Sequence, residues 1–167
     1  NEVERDPVTE GAAGPATSGK YRICSVPPME HTSLGQIREA IVAELENAPD
    51  GADIEVIYKN AQGDASNINT IISQFVGDEV DMIIPIATGP AQVAAGATKD
   101  IPIVFAAVSY PVEAGLVPSM EEAPGNITGV SNAIAVEDII ALTQELTPEV
   151  KTIGLIYNTG EVNSVSS

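Results

Sequence analysis

Short apolar runs alternate with longer amphipathic stretches along most of this chain, and this alternation limits the folds it can adopt. The runs predict strands at residues 21–26, 53–58, 81–86, 103–107, 127–131 and 152–157. The stretches between them predict helices at 33–47, 66–77, 90–98 and 136–146, where apolar residues recur at helical spacing. Repeated strand–helix–strand units require a parallel sheet with right-handed crossovers.

The predicted fold class is therefore α/β, a flavodoxin-like parallel sheet of strand order 2-1-3-4-5 flanked by helices. The strand at 152–157 has no helix after it, so it either adds to this sheet or opens a second domain. Residues 1–19 are rich in small and polar residues with acidic side chains, which predicts a flexible acidic linker.

The charge balance excludes several classes of partner. The chain has 167 residues and a net charge of −17, from 24 acidic and 7 basic residues. Such a surface repels nucleic acid phosphates and anionic lipid headgroups, so we expect neither nucleic acid nor a membrane surface as a partner. The single cysteine, Cys24, lies in an apolar run and is interpreted as a buried small hydrophobe, with a reactive thiol as the alternative.

A ligand site is expected at the carboxyl ends of the strands, where strand order reverses. The reversal lies between the first and third strands, which selects the loops 27–33 and 87–90 and their neighbours at 60–64 and 108–111. The polar and aromatic side chains of these loops are Glu30, His31, Asn60, Gln62, Thr88, Ser109 and Tyr110.

Two of these loops have competing interpretations. Thr88, Gly89 and Pro90 place a hydroxyl and backbone amides at a helix start, which either binds an anion such as a carboxylate or merely caps the helix. Glu30 and His31 either orient a ligand or form a solvated loop pair. His31 is the only histidine, and the acidic residues near it lack metal-ligand spacing, so no metal site is predicted.

The sequence lacks the motifs of the common α/β enzymes. No dinucleotide fingerprint follows the first strand, no phosphate-binding loop with its lysine is present, and residues 129–133 lack the second glycine of a nucleophile elbow. We therefore predict no cofactor and a binding module rather than an enzyme.

Seven segments, in the same order and at similar spacing, resemble the ABC transporter substrate-binding protein family that includes binding lipoproteins for tryptophan and other aromatic amino acids. They read YKNAQGD (58–64), IAT (86–88), KDIPIVF (99–105), PVEAGLV (111–117), GNITGVS (125–131), TIGLIYN (152–158) and GEVNS (160–164).

The resemblance implies a type I periplasmic binding protein, with two flavodoxin-like lobes joined by a hinge and the ligand in the cleft between them. It divides the chain into the linker at 1–19, a first lobe at 20–147, and a hinge crossing with the start of a truncated second lobe at 148–167. Thr152 would then begin the first strand of that second lobe.

The resemblance also implies the site residues. In the first lobe these are Glu30, His31, Ala87, Thr88, Gly89, Ser109 and Tyr110; in the second lobe they are Asn158, Glu161, Asn163 and Ser164. Glu161 would receive the ammonium group of a free amino acid. Tyr110 departs from the family, which usually has Asp there, so it either stacks on a ligand ring or packs on its own loop.

The function that the resemblance implies is an extracytoplasmic binding protein of an ABC importer, with an aromatic or related amino acid as ligand and permease subunits as partners. It would meet the membrane only through a lipid anchor upstream of this chain, and the single lobe could self-associate. The alternatives are a one-lobe sensory or regulatory binding domain and, less favoured by the missing motifs, a flavodoxin-like enzyme.

Overall fold

The computed structural model describes residues 20–48, 53–133, 135–154 and 156. Its strands are β1 (Tyr21–Val26), β2 (Ile54–Tyr58), β3 (Met82–Pro85), β4 (Ile103–Val108) and β5 (Ile127–Ser131). Its helices are α1 (Thr32–Glu46), α2 (Ala65–Gly77), α3 (Thr88–Ala97) and α4 (Val136–Leu146).

All five strands pair in parallel in the order β2-β1-β3-β4-β5, which confirms the predicted fold class. The first strand lies inside the sheet because β2 and β3 pair on either side of it. Strand order therefore reverses at β1, and the loops that follow β1 and β3 start side by side at one edge of the sheet.

The two faces of the sheet are packed to different extents. On one face, Cys24, Ile83 and Phe105 join the buried residues of α2 and α3 in the hydrophobic core. The other face is covered by α1 over β2, and α1 itself has no fully buried residue. Towards β5 this second face becomes open, and Val130 is 68% exposed.

Helix starts account for most of the differences from the predicted boundaries. Helix α1 starts at Thr32, one residue before its predicted start, because the ring nitrogen Nδ1 of the N-cap His31 accepts the Ser33 amide hydrogen. Helix α2 is capped by Asp64, whose carboxylate accepts both the amide and the hydroxyl hydrogen of Ser66.

The other end of α2 lies at its predicted last residue. Gly77 is the last helical residue, and Asp78 is the C-cap. The left-handed backbone that often ends a helix falls on Glu79, with a φ of 50°.

The predicted strand at 152–157 is wrong for the residues that can be compared, since 152–154 and 156 are not strand. A strand needs a neighbour to take its backbone hydrogen bonds, and no described strand runs beside this segment. Tyr157 and the predicted linker at 1–19 lie outside the described residues.

Candidate functional site

The carboxyl edge of the sheet brings together the loops that follow β1, β3 and β4. The amide of Ile86 donates to the carbonyl of Val26 at 3.0 Å, and the amide of Ala87 donates to the carbonyl of Ala106 at 2.9 Å. These bonds hold the three strand ends at the same level, so their loops leave the sheet next to one another.

Helix α3 begins two residues earlier than predicted because Ala87 adopts an unusual backbone conformation. Its φ of 75° and ψ of 168° lie in a region that glycine normally occupies, and it forms the N-cap without a side-chain hydrogen bond. Thr88 is therefore the first helical residue rather than the cap, and its side chain is buried. The amides of Thr88 and Gly89 are among those that a helix start leaves without intrahelical acceptors.

The end of β4 contains a β-bulge. The pairing with β5 shifts register between Ala106 and Val108, and Ala107 has a φ of 56°. The extra residue bends the strand. Ser109, the first residue after β4, donates its hydroxyl hydrogen to Oδ1 of Asn132 at 3.2 Å. The hydroxyl of Ser131 donates to the Ser109 carbonyl at 3.0 Å, so the end of β5 is hydrogen-bonded to the loop that follows β4.

The rest of the loop after β4 folds back against α3. The side-chain amide of Gln92 donates to the carbonyl of Ala114 at 3.0 Å, and Leu116 is buried. Tyr110 starts this turn, and its carbonyl accepts from the Ala114 amide at 2.9 Å. Tyr110 is half-buried, and whether its ring stacks on a ligand or packs on its own loop stays a prediction.

A second group of polar side chains lies at the ends of β1 and β2. The hydroxyl of Tyr58 donates to Oε1 of Glu30 at 3.2 Å, and the side-chain amide of Asn60 donates to the same oxygen at 2.8 Å. Glu30 is exposed, so its carboxylate faces solvent while two donors hold one of its oxygens.

His31 lies beside this group, and its ring has a structural role. Nδ1 accepts the Ser33 amide hydrogen and lies 2.7 Å from the Ser33 hydroxyl oxygen. In the neutral ring Nε2 then bears the proton and is a donor. Glu30, His31 and the first two turns of α1 line a shallow cavity of about 580 Å³.

The structure thus divides the predicted first-lobe residues into two groups. One group (Ala87, Thr88, Gly89, Ser109, Tyr110) follows β3 and β4, and the other (Glu30, His31) follows β1. The sequence reasoning missed Asn132 and Tyr58, although Asn132 directly follows β5 at the same edge and could have been included on that ground. The predicted second-lobe residues Asn158, Glu161, Asn163 and Ser164 lie outside the described residues.

Two further observations concern other kinds of site. Cys24 is fully buried, and desolvation by this burial raises the pKa of its thiol to about 11, so the thiol is protonated at neutral pH. Among the described residues, no cluster of three or more metal-ligating side chains occurs, and no helix is both long and apolar enough to cross a bilayer.

Comparisons with known proteins give consistent matches. The model of the ABC transporter substrate binding protein family matches residues 22–167. A tyrosine-binding protein of Clostridioides difficile (strain R20291) is 45% identical over 138 residues, which are 81% of this chain and 40% of that protein.

Solved structures extend the likeness to the fold. The ABC domain in complex with L-Trp from Streptococcus pneumonia superposes with a TM-score of 0.83 at 35% identity, covering 89% of this chain and 50% of that one. A ligand-free, open substrate-binding protein with adhesive properties from Clostridium difficile gives a TM-score of 0.70 at 40% identity, covering 87% and 50%. This chain therefore spans half or less of the length of these relatives.

Proposed function

Because the chain belongs to the ABC transporter substrate-binding protein family, we propose that it supplies the first lobe of an extracytoplasmic solute receptor for an ABC importer. This chain matches 50% of each of the two solved chains, which supports the assignment of β1 through β5 to a single lobe. A receptor of this kind binds and releases its solute without transforming it, which agrees with the missing enzyme motifs.

The proposed ligand is an aromatic amino acid. The observation that supports it most is the 45% identity to the tyrosine-binding protein, and this likeness covers 81% of the chain. The neighbour in complex with L-Trp supports the same class. The matched region makes up 40% of the tyrosine-binding protein and 50% of the chain in complex with L-Trp.

The proposed site is a cleft with the carboxyl edge of this sheet as one wall. The ligand carboxylate would meet the amides at the start of α3 and the hydroxyl of Ser109. Tyr110 would face the aromatic ring, and Glu30 the ammonium group, together with Glu161 from the second lobe. Closure of the two lobes would then exclude water from the bound amino acid.

The proposed setting follows from the family. The full-length receptor would lie outside the cytoplasmic membrane, attached by a lipid upstream of this chain, and would dock on permease subunits. The net charge of −17 fits a protein that meets membranes through an anchor and a protein partner rather than through its own surface.

A ligand screen on the full-length gene product tests the proposal. We expect L-tyrosine, L-tryptophan or L-phenylalanine to raise the melting temperature, because a ligand at about 100 times its Kd stabilises the native state by about 2.7 kcal/mol. Aspartate, lysine and glycine are the matched controls and should produce no shift. The proposed ligand class would be overturned if only the control amino acids raised the melting temperature, or if none of the amino acids raised it.

A further inference from the structure

Glu30 is held by two side chains that lie about 30 residues away in sequence. Tyr58 and Asn60 both donate to Oε1, at 3.2 and 2.8 Å, and among the described residues no hydrogen bond or ion pair to Oε2 is found. Asn60 also donates towards the Tyr58 hydroxyl oxygen at 3.4 Å, so the three side chains form one closed set.

The orientation of each donor is fixed by a further contact. The amide oxygen of Asn60 accepts the Gln62 amide hydrogen at 2.6 Å, which leaves the Asn60 NH₂ group facing Glu30. The Tyr58 ring lies under the guanidinium group of Arg38, 4.8 Å from the ring centroid, and this stacking restrains the ring.

Tyr58 remains a donor at neutral pH. Desolvation by burial and the nearby Glu30 carboxylate both raise the pKa of its hydroxyl above the usual value of 10. The hydroxyl therefore keeps its proton and can donate it to Glu30 under all ordinary conditions.

We propose that Tyr58 and Asn60 are positioning residues that hold the Glu30 carboxylate so that its free oxygen receives the ammonium group of the ligand. The inference rests on the proposed amino acid receptor and deepens it, because it assigns an orientation to the ligand. A glutamate side chain loses up to about 2 kcal/mol of rotamer entropy when it is ordered. Two donors that order it before binding remove part of that cost from the binding step.

The placement of the two groups supports this orientation. The loop after β1 bears the Glu30 negative charge, whereas the α3 start after β3 offers backbone amides, and these loops start side by side. An amino acid has an ammonium group and a carboxylate on one carbon, so it matches a site with an anion on one side and donors on the other.

Calorimetric titration of the full-length gene product tests the proposal. The probes are whichever of L-tyrosine and L-tryptophan binds the wild type more tightly, and the propionate analogue that lacks only its amino group. We expect Tyr58→Phe to weaken binding of the amino acid about fivefold to tenfold and to leave binding of the analogue unchanged. Asn60→Asp keeps the acceptor for the Gln62 amide and removes the donor to Glu30. It should weaken binding of the amino acid at least as much as Tyr58→Phe does.

Tyr21→Phe is the matched control, because Tyr21 lies at the opposite end of β1 and should leave both affinities unchanged. The second readout is a double-mutant cycle with Glu30→Gln. If Tyr58 acts through Glu30, the loss caused by Tyr58→Phe should largely disappear in the Glu30→Gln background.

The possible failures are distinguishable. If the wild type binds the amino acid but Tyr58→Phe weakens amino acid and analogue equally, or has the same effect with and without Glu30, the positioning role is overturned and the receptor remains. If the wild type binds no aromatic amino acid, the proposed ligand class is overturned and the orientation proposed here with it.

Discussion

Helices α2 and α4 have similar amphipathic sequences, yet only one of them is packed. Helix α2 buries Ile68, Ile72 and Phe75 against the sheet, whereas α4 has no buried residue and Leu146 is 76% exposed. Ile139, Ile140 and Leu142 of α4 are also exposed. An amphipathic pattern therefore indicates that a helix needs a partner without indicating which part of the molecule provides it.

The difference bears on where the first lobe ends. The predicted boundary after residue 147 stays a prediction, but the exposure of α4 means that the packed part of the described residues ends with β5. There Ser109, Ser131 and Asn132 are joined by hydrogen bonds.

The largest effect is expected for Phe75→Ala. Removal of this buried ring leaves a cavity in the core and should lower the free energy of unfolding by about 3–5 kcal/mol. Leu146→Ala on α4 is the matched truncation and should change it by less than about 0.5 kcal/mol. Denaturant titration of both variants measures the contrast; similar losses for the two would show that α4 is packed after all.

A smaller effect is expected at Gly129, which sets how closely β5 approaches β4. A Cβ atom there would overlap the backbone oxygen of Phe105, so Gly129→Ala should destabilise the chain by about 1–3 kcal/mol as β5 shifts. Gly96→Ala in α3, where a Cβ meets nothing within 4 Å, should be neutral or stabilising by up to about 1 kcal/mol. Thermal melts compare the stabilities of the two variants. If Gly129→Ala changed stability as little as Gly96→Ala, β5 would not be packed closely against β4.

The smallest effect on stability is expected for the double substitution Ile139→Ser and Leu142→Ser. Both side chains are more than half exposed, so the free energy of unfolding should stay within about 0.5 kcal/mol of the wild type. Light scattering should show less self-association of the 167-residue chain, because the exposed apolar face of α4 is reduced. Unchanged self-association would indicate that another surface joins the copies.

The sheet and its order could be predicted because apolar runs and helical spacing are local signals, and right-handed crossovers leave few arrangements open. The first residues of the helices were harder to predict from the sequence. Ala87 adopts a positive φ that its residue type does not suggest, so the start of α3 moved by two residues. Such strain depends on surrounding structure that no local pattern records.

The loops that meet at the carboxyl edge of the sheet could be predicted, whereas the contacts between their side chains could not. The rule that ligands meet the carboxyl ends of parallel strands selected the loops of Glu30, Thr88 and Ser109. It did not reveal that Tyr58 and Asn60 hold Glu30, because a hydrogen bond between distant segments depends on strand register.

The position of β1 inside the sheet has a consequence for synthesis. Among the described strands it is translated before its partners Ile54–Tyr58 and Met82–Pro85, which follow only after the intervening crossovers. At about 5–20 residues per second, this strand waits several seconds before its second neighbour exists. Both edges of this apolar segment are open until β2 has emerged, and one edge stays open to pairing with other chains until β3 has emerged.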